Sequence, residues 1–141
     1  KPELAKFLGV LYAQDLKSIG LNKEIDVIVG VPLHESRLKE RGYNQADMFG
    51  EGLSQGLEVP YLSDLLLRKE ATETQTKKTR FERFLNTQYV FDVSDQNLIK
   101  GKKVALVDDV LTTGSTLTAC GDTLLANGAL ELTIITIASA Y

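Results

Sequence analysis

Cysteine is nearly lacking from this chain: Cys120 is the only one in 141 residues. A lone cysteine excludes an internal disulfide and a cysteine zinc site within these residues. A reducing, cytoplasmic setting fits that usage. No apolar run approaches the length of a membrane span, and no signal-peptide pattern precedes the first helix. Neither sign of charge dominates: 16 Lys and Arg against 19 Asp and Glu leave a net charge of −3, with a pI near 5.2. That balance argues against a general nucleic-acid binder driven by a strong positive field, while leaving room for a local basic patch. There is no internal repeat and no low-complexity tract. GxxxxGK followed by Ser or Thr is absent, as are GxGxxG and the GxSxG nucleophile elbow. The chain opens on Lys1, so a fragment, a processed form or a trimmed form is expected.

What is present is an ordinary globular mix, 43% hydrophobic and 25% charged, enough for a core in one domain over residues 1–141. Leu4, Phe7, Leu8, Leu11 and Leu16 recur at near-helical spacing and predict a helix from Glu3 to Ile19. IDVIVGVP, residues 25–32, is β-branched and continuous, as a central parallel strand is. Residues 33–43 are polar and basic and read as a long loop. Asn44 is placed to cap a helix through about Leu57, although Gly50, Gly52 and Gly56 weaken that expectation. Val59–Arg68 reads as one strand, Phe81–Leu85 as a short turn and Tyr89–Val93 as a strand. Lys103–Val107 is another strand, followed by a helix over Ser115–Ala126 with Gly128 as its stop, and a last strand over Leu132–Ala138. Alternating strands and helices predict an α/β three-layer α/β/α fold with a mostly parallel sheet and a mixed edge.

Ligands in such folds bind outside the carboxyl ends of the strands. Two polar loops, 32–43 and 108–115, follow strands on that side. The second belongs to VALVDDVLTTGST, residues 104–116. Gly114 lets the backbone turn tightly, and the helix start adds N–H donors and a partial positive charge. With neighbouring Thr and Ser hydroxyls this makes a nest for one phosphate. Asp108 and Asp109 suit either the vicinal hydroxyls of a sugar or a divalent cation, met directly or through water. A sugar phosphate satisfies both halves. Each half alone is common turn or cap chemistry; their contiguity after an apolar strand points to a ligand. Arg37, Lys39 and Arg41 lie in the loop after the first strand, where a diphosphate would need cations, with Glu35 and Glu40 interleaved. His34 reads as an ordinary loop residue. Cys120, Tyr43 and Phe91 read as core.

VALVDDVLTTGST resembles the thirteen-residue phosphoribosyl pyrophosphate motif of type I phosphoribosyltransferases. RGYNQA at 41–46 resembles the Arg-Gly-aromatic-Asn-Gln-Ala element of the ComF (competence protein F) family, and Gln75, Glu82, Arg83, Asn86 and Phe91 stand at that family's spacing. The resemblance implies a mixed six-strand sheet with helices on both faces. It implies a 5′-phosphate site at Thr112, Thr113, Gly114, Ser115 and Thr116. It sets Asp108 and Asp109 against the ribose hydroxyls and, indirectly or through water, magnesium arriving on the ligand. Pyrophosphate would meet Pro32, Leu33, Arg37 and Arg41. Residues 69–88 would include a mobile lid carrying Gln75, Lys77, Lys78, Arg80 and Asn86, with Arg83 and Arg41 among the catalytic set. Lys77-Lys78 departs from the Gly-Leu common in the family, and the four-cysteine zinc module with which many members begin is not in this sequence. Two functions follow as expectations. One is a magnesium-dependent phosphoribosyltransferase with an unspecified acceptor. The other is a non-catalytic sensor of phosphoribosyl pyrophosphate or a nucleotide, or a partner in DNA uptake that meets single-stranded DNA or the competence machinery.

Overall fold

The computed structural model describes residues 1–70, 89–111 and 113–139. The expected lid residues Gln75, Lys77, Lys78, Arg80 and Asn86 lie outside the described residues, as do Glu82, Arg83, the turn expected at Phe81–Leu85 and Thr112.

Along the chain the described elements begin with α1 (Pro2–Ser18), a 3₁₀ turn (Leu21–Lys23), β1 (Val27–Gly30), α2 (Glu35–Arg41) and α3 (Gln45–Leu57). They continue with β2 (Tyr61–Leu62), β3 (Leu66–Glu70), β4 (Tyr89–Val93), a second 3₁₀ turn (Gln96–Leu98), β5 (Lys103–Leu111), α4 (Ser115–Ala126) and β6 (Glu131–Ser139). The central sheet has the order β2-β1-β5-β6, and its three pairings are all parallel. β3 and β4 form a separate antiparallel pair. The expected six-strand mixed sheet is therefore, among the described residues, a four-strand parallel sheet with a two-strand ribbon beside it.

Alternation sorts the core. Val27, Val29, Val104 and Leu106 face α4 through Leu117, Cys120 and Leu124, with Leu66 and Phe91 of the ribbon in the same cluster. Ile28, Ala105, Val107 and Ile135 face the other way, onto Ala13 of α1 and Phe49, Leu53 and Leu57 of α3. Burial on both faces is why β1 and β5 read as continuous apolar runs.

Four expectations are corrected. The loop expected over 33–43 contains α2. Its helix signals are local: His34 Nδ1 accepts from the Ser36 N–H at 3.1 Å, Lys39 and Arg41 sit in the last turn, and Gly42 ends it in the left-handed region at φ 87°. The strand expected over Val59–Arg68 is two, broken where Asp64 takes φ 56°. The strand expected to stop at Val107 runs to Leu111, because β6 continues alongside it and pairs Asp108 with Thr136, Val110 with Ala138 and Leu111 with Ser139. Tyr43 is half-exposed rather than core, and its hydroxyl accepts from the Lys1 amino group at 3.0 Å.

The α3 glycines that looked like weaknesses are a contact surface. A methyl on Gly52 would collide with the Lys6 carbonyl, one on Gly9 with the Phe49 carbonyl, and one on Gly56 with Ala13. α1 and α3 thus pack backbone to backbone, and α3 runs its expected length.

The topology sets the site. From β1 the chain moves through α3 to β2 on one side; from β5 it moves through α4 to β6 on the other. β1 and β5 are neighbours, so their carboxyl ends flank the switch point, where open parallel sheets bind ligands.

Candidate functional site

The end of β5, the turn after it and the start of α4 surround a recess of about 250 Å³ open to solvent. Asp108, Thr113, Gly114, Ser115, Thr116 and Leu117 are among its lining residues. Gly114 sits at φ 80° and caps α4 without a side chain. The first turn of α4, Ser115, Thr116 and Leu117, thus lines the recess. The helix begins properly, since Thr118 N–H donates to the Gly114 carbonyl at 2.8 Å. Thr113 Oγ1 accepts from the Ser115 N–H at 3.3 Å and lies 3.0 Å from Ser115 Oγ. Two hydroxyls and a helix start thus converge on one spot, an arrangement that favours a phosphate.

Asp108 lies half-buried at the recess wall. Its Oδ1 accepts from the Asp109 N–H at 2.8 Å, and Asp109 Oδ1 accepts from the Val110 N–H at 2.8 Å. Burial pushes the Asp108 carboxyl up to about 7. The Asp109 N–H opposes that rise, the Asp109 side chain adds to it, and the Arg68 guanidinium pulls it down. A carboxyl poised there gives up its proton readily when a cation approaches.

β1 ends beside this wall. Val31 N–H donates to the Val107 carbonyl at 2.9 Å, which sets the segment 31–34 next to Asp108. Pro32 and Leu33 are half-buried in that segment. Arg37 and Arg41 are exposed on α2 and are not among the residues lining the recess. Arg41 Nη1 donates to Gln45 Oε1 at 3.2 Å, which ties the end of α2 to the start of α3. The structure thus joins Asp108 to residues 113–116 and sets Pro32 and Leu33 close by. The cations stand outside the recess.

Sequence reasoning gave no role to Asp47 and Tyr61, which form a hydrogen-bonded pair behind the 31–34 segment. It placed Arg68 at the end of the strand expected over Val59–Arg68 and among the basic residues of the expected lid. Arg68 in fact stacks over Phe91, 5.3 Å from the ring centroid, and its field reaches both Asp108 and Cys120. The available signal was cross-strand register, since Arg68 pairs directly with Phe91. Cys120 is fully buried as expected, and burial pushes its thiol up to about 12. No helix among the described residues is long and apolar enough to cross a membrane.

A family model described as a phosphoribosyl transferase domain matches residues 44–141. Competence protein F of Haemophilus influenzae is 36% identical over 138 residues, covering 97% of this chain and 60% of that protein. DNA utilization protein YhgH of Escherichia coli K12 is 37% identical over 122 residues, covering 86% of this chain and 52% of that protein. The chain therefore spans just over half the length of these curated relatives. Among solved structures, the glutamine phosphoribosylpyrophosphate amidotransferase from B. subtilis, complexed with ADP and GMP, matches with a TM-score of 0.67 and 21% identity. That match covers 96% of this chain and 26% of that one, and it speaks to the fold. With its α/β architecture and parallel sheet, the chain belongs to the phosphoribosyl transferase domain family, in its ComF (competence protein F) branch.

Proposed function

We propose that this chain binds phosphoribosyl pyrophosphate together with magnesium and acts as a phosphoribosyltransferase of the ComF type, with an acceptor still to be found. The observation that carries the reading is the recess itself: an acidic strand end and an open helix start facing one cavity. The first turn of α4, with Thr113, Ser115 and Thr116, would hold the 5′-phosphate. Asp108 and Asp109 would accept from the ribose 2′ and 3′ hydroxyls. The backbone at Pro32 and Leu33 would approach the diphosphate, with Arg37 and Arg41 meeting it from α2.

Among the described residues no group of three or more His, Cys, Asp or Glu stands ready to hold a metal ion. The donor set fits a cation brought in on the diphosphate, with the acid pair reaching it through water. Magnesium in that position supplies charge neutralisation for the leaving diphosphate. Transfer breaks the bond between the anomeric carbon and the diphosphate oxygen and forms one from that carbon to a nucleophilic atom of the acceptor, the diphosphate leaving with the bonding pair while positive charge grows on the ribose ring. The acid pair would hold the ring hydroxyls and lie near that charge, while the α4 start fixes the far end of the sugar. No covalent nucleophile is required.

Calorimetry with phosphoribosyl pyrophosphate and magnesium tests the reading. Wild-type protein should bind, and Asp108→Asn/Asp109→Asn should bind at least tenfold more weakly. An unchanged affinity removes the ribose assignment.

In a second reading the chain binds the same ligand without turnover and serves DNA uptake; the names of the two curated relatives, a competence protein and a DNA utilization protein, favour the DNA link. Pyrophosphate release on mixing with bases, amines and nucleic acids separates the two. Binding without release, together with single-stranded DNA binding that weakens steeply with salt, selects the second.

A further inference from the structure

The segment after β1 is held from behind. Asn44 uses both ends of its amide. Its Oδ1 accepts from the Ala46 N–H at 3.0 Å and caps α3. Its Nδ2 donates to the Val31 carbonyl at 3.0 Å. Only one orientation of the amide suits both neighbours, since Ala46 offers a donor and Val31 an acceptor. Val31 is therefore pinned twice, by its N–H to Val107 and by its carbonyl to Asn44.

Asn44 is held in turn. Asp47, one turn further along α3, lies beside it, and the Asn44 side chain helps to lower the Asp47 carboxyl. Asp47 Oδ1 accepts from the Tyr61 hydroxyl, reaching across from β2. The Tyr61 side chain lies in a notch made by two glycines. A methyl at Gly50 would strike its ring, and a methyl at Gly30 would strike its hydroxyl and the Asp47 carboxylate. The notch, the ring and the three polar groups form one unit between the edge strand, the start of α3 and the end of β1. Burial raises the Asp47 carboxyl, while the bonds from Tyr61 and Asn44 hold it down. The carboxylate thus works as the acceptor for Tyr61 beside the Asn44 amide.

We propose that Asn44, Asp47 and Tyr61 are positioning residues, a hydrogen-bonded unit that sets the backbone of residues 31–34; resting on the reading above, that backbone is the one that meets the diphosphate. None of the three needs to touch the ligand. Asn44 acts through the Val31 carbonyl, and Tyr61 acts through Asp47 and Asn44.

Two variants separate this role from plain helix capping. Asn44→Asp keeps the capping oxygen but puts an acceptor against the Val31 carbonyl. Tyr61→Phe keeps the ring in its notch and removes only the hydroxyl. Hydrogen exchange on the ligand-free chain reads the Val31 N–H against that of Leu106, in the middle of β5. Val31 should exchange about tenfold faster in Asn44→Asp and faster to a smaller degree in Tyr61→Phe, with Leu106 unchanged. Calorimetry with inorganic pyrophosphate plus magnesium, and separately with ribose 5-phosphate, supplies the second readout. Pyrophosphate affinity should fall about five- to tenfold in Asn44→Asp, with ribose 5-phosphate held within twofold. Unchanged exchange at Val31, or equal loss for both ligands, overturns the proposal. If wild-type protein binds neither ligand, the phosphoribosyl reading falls by itself, and the exchange result alone decides the positioning unit.

Discussion

Asp108 should make the native protein less stable at alkaline pH than at acid pH, and Asp108→Asn should remove that dependence. The folded side chain titrates near 7 instead of the ordinary 3.8. Between those values the native state holds a proton that the unfolded chain releases. By linkage, the stability tied to this group is fully present below about pH 4 and is lost as pH rises through 7. At about 1.4 kcal/mol per tenfold change in acidity, the displacement corresponds to about 4 kcal/mol as an upper bound. Solvent reaches the recess wall, and screening there brings the working figure to about 1–3 kcal/mol. Urea unfolding of wild type and Asp108→Asn at pH 5 and pH 8 measures it. The variant should be the more stable protein at pH 8, by about 1–3 kcal/mol, and that advantage should be smaller at pH 5 and vanish below about pH 4. Comparing the two proteins at each pH cancels titrations elsewhere in the chain. An equal difference at both pH values, or a variant less stable at pH 8, would refute the claim that burial rather than pairing governs this carboxyl. A residue whose removal stabilises the fold while weakening ligand binding is what a binding site tolerates and a core does not.

Packing and chemistry elsewhere give two further expectations. Gly52→Ala should destabilise the fold by about 1–3 kcal/mol, because the new methyl meets the Lys6 carbonyl across the α1–α3 contact; a helix-propensity gain in urea or thermal unfolding would contradict that contact. Cys120, with its thiol buried and pushed up to about 12, should react with a thiol reagent at pH 8 at least about a hundredfold more slowly in native protein than in guanidinium. Comparable rates would show that the α4 face opens easily.

The amino-acid sequence by itself determined the parts of this protein that rest on local chemistry. A short, β-branched apolar run reads as a strand buried on two faces, so β1 and the start of β5 were legible. Asn44 and Gly128 mark helix ends through their own side-chain and backbone preferences. Gly114 among hydroxyls after a strand marks a tight turn into a helix start, so the recess could be located from thirteen residues. α2 was legible in principle, since its cap, its basic last turn and Gly42 are local signals, but its polar composition hides them.

Tertiary structure decided whatever depends on a distant neighbour. β5 passes through two aspartates because β6 lies alongside, pairing Asp108 with Thr136 and resuming at Val110 with Ala138. Gly50, Gly52 and Gly56 weaken the expectation of a helix until Tyr61 fills the space beside the first and α1 that beside the other two. The Asp108 carboxyl rises because of burial and of Asp109 beside it, against Arg68 from a separate ribbon. Tyr61 reaches Asp47 across fourteen residues of chain. Propensity and capping act over a few residues and can be read in one dimension. Desolvation, strand register and close backbone packing are set by what arrives from elsewhere in the chain, and only the folded molecule brings those groups together.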